Sequence, residues 1–361
     1  MKRRTTAYRA AVIVAMSLTA AASAAAQGLQ AGRVVFEAVA SVASSSARAI
    51  DDPFVVLDLT TTIRVNESLD VIVRPWARRL PGGDWDAAMY QAQIRYQPIE
   101  RVRLDAGILS SPIGLGALEL RQDLNPAVSS TFYYFAPLPL FDSQRDGLQL
   151  LAGGYPIGAM LSTSGSRWDA RVGVIDSTPA RYRKVFAEDT PSPDAQFVAG
   201  GGVTPRPGLR FGVGFAHGGY RQSDDSDYYG GNAAPLPDAN ATVFNVEGEY
   251  AFRYTRLTGE WVRDRFESPL SPAVARGFYL QGVQTLTPRI FAASRITRVS
   301  APVQLGANRV RWTREAFELS GGYRLTPDWT LKAGYEASQR FGVTTWAHAA
   351  TASVVWAKRW F

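Results

Sequence analysis

Arginine and carboxylate side chains recur at alternate positions in many short segments of the sequence. In "FVVLDLTTTIRV" (54–65), Asp58 and Arg64 share one parity, while Leu57 and Ile63 occupy the other. A period of two places charged side chains on one face of a β-strand and apolar side chains on the opposite face. Charges arrayed on a wet sheet face act on dissolved ions, so we expect electrostatic steering of solutes rather than bond-making chemistry.

The sequence gives less support for an active site or a metal site than for ion steering. The chain contains two histidines, His217 and His348, and no cysteine, which excludes thiol catalysis, thiolate metal sites and disulfides. His217 falls on the apolar parity of its segment, and His348 has no acidic residue near it in sequence. The acidic run "SDDSD" (223–227) lacks the ordered spacing of a calcium loop. We therefore expect that the protein is not an enzyme and binds no cofactor or metal. The alternative is an outer-membrane barrel that acts as a lipid or peptide hydrolase or as a receptor.

The first 26 residues have the pattern of a secretory signal peptide. Basic residues at the start precede an apolar run over 10–22 and small residues at 24–26, which predicts a mature chain of 27–361. No other stretch reaches the roughly 18 apolar residues that a spanning helix needs. Removal of the leader lowers the formal net charge from +7 to +3, because it carries four basic and no acidic residues. Nucleic-acid binding then has little support from charge.

Period-two alternation continues through nearly the whole mature chain and predicts about sixteen strands. The predicted strand 146–163 is the least regular, because Tyr155-Pro156 within it could form another turn. The connections alternate in length. Short connections are predicted at 65–69, 97–101, 164–167, 204–209, 251–255, 286–289 and 325–328, and long ones at 110–145, 177–194, 219–241, 265–275 and 300–313.

These features predict an all-β, transmembrane antiparallel β-barrel with short periplasmic turns and long extracellular loops. Lipid cannot satisfy backbone hydrogen bonds, so a spanning sheet must close and present an apolar exterior. Outward aromatic residues would form girdles at the two membrane interfaces; a soluble sandwich with the same residues in its core is the alternative. The predicted girdle residues are Tyr90, Tyr96, Phe244, Tyr250 or Phe252, Phe317, Tyr323, Trp329 and Tyr335.

A barrel of this size encloses an aqueous channel unless loops block it. Several inward arginines, such as Arg64, Arg210 and Arg324, fall beside short turns, where a cationic ring would attract anions. Alternatively, many of these arginines pair with carboxylates and set no selectivity. The predicted pore-lining residues on strands are Arg74, Arg95, Arg103, Asp105, Arg171, Arg256, Arg295, Lys332 and Glu336.

The longest connection, 110–145, is predicted to fold inward as a constriction loop, because its apolar run "FYYFAPLPLF" would be costly on a wet surface. The stretch "GALELRQDL" could form a short helix that ends before Asn125-Pro126. An outward loop that shields a trimer contact is the alternative. The constriction candidates are Glu119, Arg121 and Asp123, and Tyr133, Tyr134 and Phe135 are expected to pack on the wall.

The chain ends in "TTWAHAATASVVWAKRWF", and its terminal Phe361 resembles the signature by which the barrel-assembly machinery recognises outer-membrane proteins. That resemblance implies the machinery as a partner. The pattern departs from the signature at Arg359, where an aromatic or aliphatic residue is usual, and Trp356 and Trp360 occupy the opposite parity. Either the last strand contains a bulge or the signal is atypical.

The segment "LDAGILSSPIGL" (104–115), followed after a long loop by "RDGLQL" (145–150), resembles the framework of the phosphate-selective porin O/P group and related general porins. The resemblance implies a sixteen-stranded, often trimeric channel. Phosphate selectivity in that group depends on lysine and arginine ladders, and the mature chain has only Lys184, Lys332 and Lys358. From the resemblance we carry over the fold and the channel role only. The expectation as a whole is an outer-membrane diffusion channel for small hydrophilic solutes, with a weak anion preference from the arginines beside the short turns. Its expected partners are two further copies in a homotrimer, membrane lipids and lipopolysaccharide.

Overall fold

The structure, a computed structural model, describes most of the chain from residue 34 to residue 360. The predicted signal peptide, Glu119, Phe361 and large parts of the longer connections lie outside the described residues. The described ranges are 34–46, 53–79, 83–110, 112–115, 121–129, 132–135, 138, 140, 148–151, 154–180, 195–221, 239–267, 271–305 and 308–360.

Sixteen antiparallel strands form one closed barrel, which confirms the predicted fold class. Each strand pairs with its sequence neighbours, and β1 closes the ring by pairing with β16. A short helix, α1 (Phe132–Phe135), lies between β5 and β6. Within the described residues, no helix is long and apolar enough to cross a membrane. The strands are β1 (Val34–Ser45), β2 (Phe54–Asn66), β3 (Leu69–Arg79), β4 (Trp85–Ile99), β5 (Val102–Ser110), β6 (Gly154–Ser164), β7 (Trp168–Ile175), β8 (Gln196–Arg206), β9 (Leu209–Arg221), β10 (Ala239–Phe252), β11 (Thr255–Phe266), β12 (Ala273–Thr285), β13 (Ile290–Leu305), β14 (Asn308–Arg324), β15 (Trp329–Gln339) and β16 (Ala347–Trp360).

The connections at one rim of the barrel are uniformly short, and each lies within a predicted short connection. Two of them repeat a Thr-Pro turn with a local cause. Thr326 Oγ1 accepts hydrogen bonds from the backbone N–H groups of Asp328 and Trp329, both at 3.2 Å. The hydroxyl thus replaces backbone partners and reverses the chain sharply. The short connections are 67–68, 100–101, 165–167, 207–208, 253–254, 286–289 and 325–328.

Two predicted boundaries are wrong. Residues 300–313 do not form a long loop, because β13 and β14 continue their ladder to the pair Leu305–Asn308. Ala301 and Val303 there are buried, so this part of the chain packs as an extension of the hairpin. The predicted strand 146–163 instead begins at Gly154, and its Tyr155-Pro156 lies inside β6 rather than in a turn. The preceding residues 148–151 are buried in the interior cluster and do not join the ladder.

The outward face carries exposed aromatic and aliphatic side chains, including Tyr96, Phe317 and Trp329 of the predicted girdles. The predicted outward position of Tyr90 is wrong. The β3–β4 register pairs Arg74 with Gln91 and then Pro75 with Met89, so Tyr90 is the extra residue of a β-bulge. One inserted residue reverses the parity of the strand beyond it. Tyr90 is therefore 2% exposed and faces inward.

The final strand pairs with β1 without any register shift, from Trp360 opposite Phe36 to Thr351 opposite Ser45. No bulge interrupts these paired residues, so Arg359 faces inward and lies 3.7 Å from Glu37. Trp360 faces outward, with its ring centroid 5.2 Å from that of Phe36. The described part of the terminal strand is therefore regular, with its aromatic residues on the parity opposite to Arg359.

Candidate functional site

Arg74 of β3 is bound to Asp58 of β2 on the inner face. Its Nε donates to Asp58 Oδ1 at 2.8 Å, and its Nη2 donates to Oδ2 at 2.5 Å. Its guanidinium carbon also lies 4.3 Å from the centroid of the Tyr90 ring, a cation–π contact. Because the Asp58 carboxylate offsets its positive charge, Arg74 contributes little net field to the lumen.

Arg95, Arg103 and Asp105 form a second cluster on β4 and β5. Arg95 Nε donates to Asp105 Oδ1 at 2.9 Å, and Arg103 Nε lies 2.8 Å from Asp105 Oδ2. Gln93 donates a further hydrogen bond to Asp105 at 2.7 Å. Two partly exposed arginines thus share one buried carboxylate, which leaves the cluster with a positive balance beside the short-turn rim.

Arg210 and Arg171 form a third cluster, on β9 and β7. Arg210 bridges two carboxylates, with its Nε 3.0 Å from Asp169 Oδ1 and its Nη1 2.6 Å from Glu247 Oε1. The Nε and Nη2 atoms of Arg171, by contrast, are buried and have no hydrogen-bond partner among the described residues. No ion pair involves Arg171 within the part of the chain that the structure describes, so its positive charge adds to the field of this wall.

Glycines of β8 make room for these two arginines. A Cβ atom at Gly200 would lie 3.0 Å from Arg171 Nε, and one at Gly202 would lie 2.7 Å from Arg210 Nη2. Both distances are too short for ordinary packing. Gly200 and Gly202 of the "GGG" run thus leave room for the two guanidinium groups against the wall.

Part of the long connection crosses to the far wall and is bound there by Lys332 of β15. Lys332 Nζ donates to the backbone carbonyl oxygens of Gln122 at 2.6 Å, Asn125 at 2.5 Å and Ala127 at 3.4 Å. An ammonium group has three donors and no acceptor, so three carbonyls satisfy it. Lys332 thereby connects the inner face of β15 to the 121–129 segment.

Ser129 extends this attachment to β13 and β14. Its hydroxyl contacts Glu318 Oε1, and its carbonyl oxygen accepts from Arg295 Nη2 at 2.7 Å. Arg295 Nε donates to Glu318 Oε2 at 2.5 Å. Ser320 Oγ donates to the carbonyl oxygen of Pro126 at 3.2 Å. The predicted lining residue Arg295 therefore positions the loop through a fully buried ion pair.

Arg121 binds the same segment to β1. Its Nη1 donates to Glu37 Oε2 at 2.8 Å, and its Nη2 donates to Asp123 Oδ2 at 2.7 Å. Partial burial lowers the pKa of the Arg121 guanidinium, but the two carboxylates outweigh burial, so the net pKa is raised. The predicted constriction residues Arg121 and Asp123 are thus in contact with each other and with the wall.

Tyr133 and Tyr134 of α1 pack on Tyr279 of β12, with ring centroids at 5.2 and 5.9 Å. Tyr134 donates its hydroxyl to Glu260 Oε2 of β11 at 2.5 Å, and Asn245 donates to the other oxygen of Glu260 at 3.0 Å. Burial, followed by the nearby charge of Glu260, raises the pKa of both α1 tyrosines well above their ordinary value. The phenol of Tyr134 therefore remains a hydrogen-bond donor at physiological pH.

The remaining predicted site residues are not gathered into these clusters. Arg256 is exposed beside the 253–254 turn, and no ion pair involves it among the described residues. Glu336 lies opposite Glu318 in the β14–β15 register and is partly buried. Glu119 lies outside the described residues. The inner wall therefore combines paired clusters with a few charges that retain access to water.

Sequence reasoning did not select Glu37, Tyr279 or Ser129 as site residues. Glu37 is the single charged residue of β1, "VVFEAVASVASS", and that isolation was a usable signal. Tyr279 and Ser129 carried no comparable signal, because their partners are far away in sequence: Ser129 and Arg295 are separated by 166 positions.

Both histidines lie on the outward face. His217 is exposed, lies 3.0 Å from Thr242 Oγ1 and stacks on Phe215. His348 is exposed, and its Nδ1 lies 2.6 Å from the hydroxyl of Tyr335. Neither imidazole contributes to the inner wall.

No protein-family profile and no curated protein matches the chain. Solved structures do match it. It is similar to an anion-selective porin from Comamonas acidovorans, at 10% identity over 91% of this chain and 99% of that one, with a TM-score of 0.57. It is similar to OmpF of Salmonella typhi in complex with daunomycin, at 9% identity over 90% and 97%, with a TM-score of 0.58. It is also similar to OmpT, an outer membrane protein of Vibrio cholerae in a trimer form, at 8% identity over 90% and 98%, with a TM-score of 0.55.

At such low identity the likeness concerns the fold alone, since one fold can carry different functions. The matches extend over nearly the whole length of both partners in each comparison. The chain therefore has the closed sixteen-stranded architecture of outer-membrane β-barrels, a group that includes general and anion-selective porins.

Proposed function

We propose that the protein is a porin of a Gram-negative outer membrane, a passive diffusion channel for small hydrophilic solutes with a weak preference for anions. The observation that carries this proposal is a closed wall with a charged inner face, to which the 121–129 segment is bound from the inside. A sixteen-stranded barrel is wide enough for an aqueous lumen. A loop that is bound across the lumen forms a fixed constriction.

The contacts of the long connection support a constriction role for 110–145. Its described residues bond to β1 through Glu37, to β11 through Glu260 and to β15 through Lys332. These side chains all belong to the inward parity of strands on different sides of the ring. Arg121 and Asp123 then lie beside the narrowed path, where their charges act most strongly on passing ions.

The balance of charge supports a weak rather than a strong anion preference. Most inward arginines are paired with carboxylates, as Arg74 is with Asp58 and Arg210 is with Asp169. Such pairs reduce the field that a solute experiences. Arg171, Arg256 and the Asp105 cluster add positive charge to the inner wall. Glu260, which is bound by the neutral donors Tyr134 and Asn245, adds negative charge, so the net field that we propose is small.

A homotrimer is the assembly that we propose. Small side chains occupy outward positions on three of the four strands β1–β4, which form one side of the barrel: Ala38 and Ala40 on β1, Ala77 on β3 and Ala87 on β4. Small residues let two surfaces approach closely. The trimer form of the Vibrio cholerae OmpT, a structure of similar fold, supports the same assembly. Light scattering in detergent tests it: Ala40→Trp should dissociate the trimer, whereas Ala292→Trp on β13 should leave it intact.

Reconstitution in planar lipid bilayers tests the channel. We expect stepwise conductance, and in a salt gradient of KCl a reversal potential displaced modestly toward the equilibrium potential of chloride. Arg171→Gln should reduce that displacement. Arg206→Gln is the matched control, because Arg206 lies against the outward Tyr250 ring at 5.6 Å.

Absence of conductance from folded protein would overturn the proposal. Hydrolysis of lipid or peptide by the same preparation would then favour a barrel enzyme, and tight binding of a single solute without conductance would favour a receptor. The outward position of both histidines argues against an active site built on imidazole in the lumen.

A further inference from the structure

A cluster of arginines lies on the outward face of β11–β14, near the rim with the long connections. The same face carries Trp261 and Phe278, which are 37% and 39% exposed, so these charges border an apolar belt. We call the cluster the outer arginine patch. It consists of Arg263, Arg265, Arg276, Arg298, Arg309 and Arg311.

Two members of the patch face each other directly. Arg263 of β11 and Arg276 of β12 are register partners, and both are exposed. Like charges opposite each other on adjacent strands are destabilising. The nearby carboxylates do not relieve this repulsion, because Glu267 pairs with Arg265 at 3.4 Å and Glu315 pairs with Arg298 at 3.1 Å. Within the described residues, Arg263 and Arg276 have no carboxylate partner.

A third guanidinium is positioned beside this pair. Arg311 Nη1 donates to Ser300 Oγ at 3.2 Å, and Ser300 is the register partner of Arg276. Arg311 Nη2 donates to the carbonyl oxygen of Val274 at 3.3 Å. Neutral oxygens, rather than carboxylates, therefore orient Arg311, so its positive charge remains available to a ligand.

The depth of the pair indicates which part of the membrane it meets. A tilted strand crosses the hydrocarbon with roughly 9–11 residues. β11 runs from Thr255 at the short-turn rim to Phe266, and Arg263 stands close to its far end. Arg276 stands equally close to the start of β12 at Ala273. The pair thus lies at the edge of the hydrocarbon layer, where lipid headgroups begin.

We propose that the outer arginine patch binds the phosphate of a phosphorylated lipid headgroup in the outer leaflet. A phosphate between Arg263 and Arg276 accepts paired hydrogen bonds from both planar guanidinium groups and removes their mutual repulsion. Arg311 contributes a third positive charge, and the acyl chains lie against the apolar belt that includes Phe278. The inference depends on the membrane location of the barrel and not on its channel activity.

Binding of lipid A to the refolded full-length mature protein tests the proposal, measured by native mass spectrometry in a neutral detergent. We expect the wild type to bind lipid A at least tenfold more tightly than R263Q/R276Q. Dephosphorylated lipid A should bind both proteins equally weakly. Inorganic phosphate at millimolar concentration should compete only slightly, because it lacks the acyl chains. The matched control is R206Q/R253Q, which removes two arginines that contact Tyr250 and Phe252 at the opposite rim.

Equal affinity of wild type and R263Q/R276Q for lipid A would overturn the proposal, as would equal binding of the phosphate-free lipid by the wild type. Dissociation of the oligomer by R263Q/R276Q without lipid would instead assign the patch to a contact between copies.

The thermal stability of the single variant R276Q provides a second, independent test of the proposal. In lipid-free detergent it should unfold at a higher temperature than the wild type, because it removes the repulsion, and a lower temperature would contradict the argument. Absence of conductance with retained lipid A binding would contradict the proposed channel function but not the proposed lipid site.

Discussion

Lys332 Nζ lies 2.6 Å from the carbonyl oxygen of Gln122, a residue 210 positions earlier in the chain. The contact connects the inner face of β15 to the segment that follows β5, and Lys332 is only 4% exposed. An ammonium group that is bound by carbonyl oxygens and buried in this way fixes the segment from across the lumen. Lys332 is therefore one of the side chains that attach this segment to the wall, together with Arg121 and Arg295.

Replacement of Lys332 by methionine should release the 121–129 segment. The substitution keeps the length of the side chain and leaves three carbonyl oxygens without their donor, at a cost of about 1–3 kcal/mol. We expect larger single-channel conductance and more current fluctuation, recorded in planar bilayers. Lys358→Met is the control, because Lys358 bonds to Asp328 in a short turn and contacts none of the described residues of 110–145. Unchanged conductance in Lys332→Met would contradict the role of this contact.

Asp105→Asn should increase the preference for anions. Asp105 offsets the charges of Arg95 and Arg103, which are 2.9 and 2.8 Å from its oxygens, and the amide keeps the shape while removing the negative charge. The reversal potential in a KCl gradient should move toward that of chloride. Asp328→Asn, at the rim, should move it much less. A shift toward potassium would show that the cluster does not face the ion path.

Tyr134→Phe should loosen the attachment of α1 to β11. The substitution removes the hydroxyl that donates to Glu260 and leaves a buried carboxylate oxygen with fewer donors, a loss of about 1–3 kcal/mol. We expect faster proteolysis of the 110–145 connection in folded barrels, followed by mass spectrometry. Tyr254→Phe at an exposed turn is the control and should leave the cleavage rate unchanged.

Gly107→Ala should destabilise the β4–β5 ladder. Gly107 has a φ of 124°, which side chains rarely adopt, and a Cβ there would overlap the carbonyl oxygen of Ala92. Strain of this kind costs on the order of 1–3 kcal/mol. The unfolding temperature, read from heat-modified electrophoretic mobility, should fall. Gly248→Ala is the control, because the nearest atom to its added Cβ would be 3.8 Å away. Equal temperatures for both variants would refute the explanation.

Local patterns were sufficient to predict the strand number and the short rim. The Thr-Pro turn at Thr326 depends on hydrogen bonds that span two and three residues, so a short stretch of sequence is enough to predict it. The same local reading was wrong at Tyr90. A bulge depends on the register of β3 against β4, which the sequence of one strand does not determine.

The candidate site was predictable as a set of charged positions but not as a set of partners. The alternation placed Arg74, Arg295 and Lys332 on the inner parity, and all three are inner-wall residues. It could not predict that Arg74 bonds to Asp58, that Arg295 bonds to Ser129 or that Lys332 binds backbone carbonyls. The first contact depends on the register of β2 against β3, and the other two join the segment after β5 to strands far away in sequence.

The amino-acid sequence by itself determined two features. One is the alternation that makes one face of the sheet apolar and the other charged, and the second is the set of short turns that reverse the chain. Both are properties of neighbouring residues. Only the tertiary structure decided which arginines are neutralised, where the segment after β5 attaches, and that Arg263 and Arg276 stand opposite each other on the outside. These depend on strand register and ring closure, which bring together residues that no local period relates.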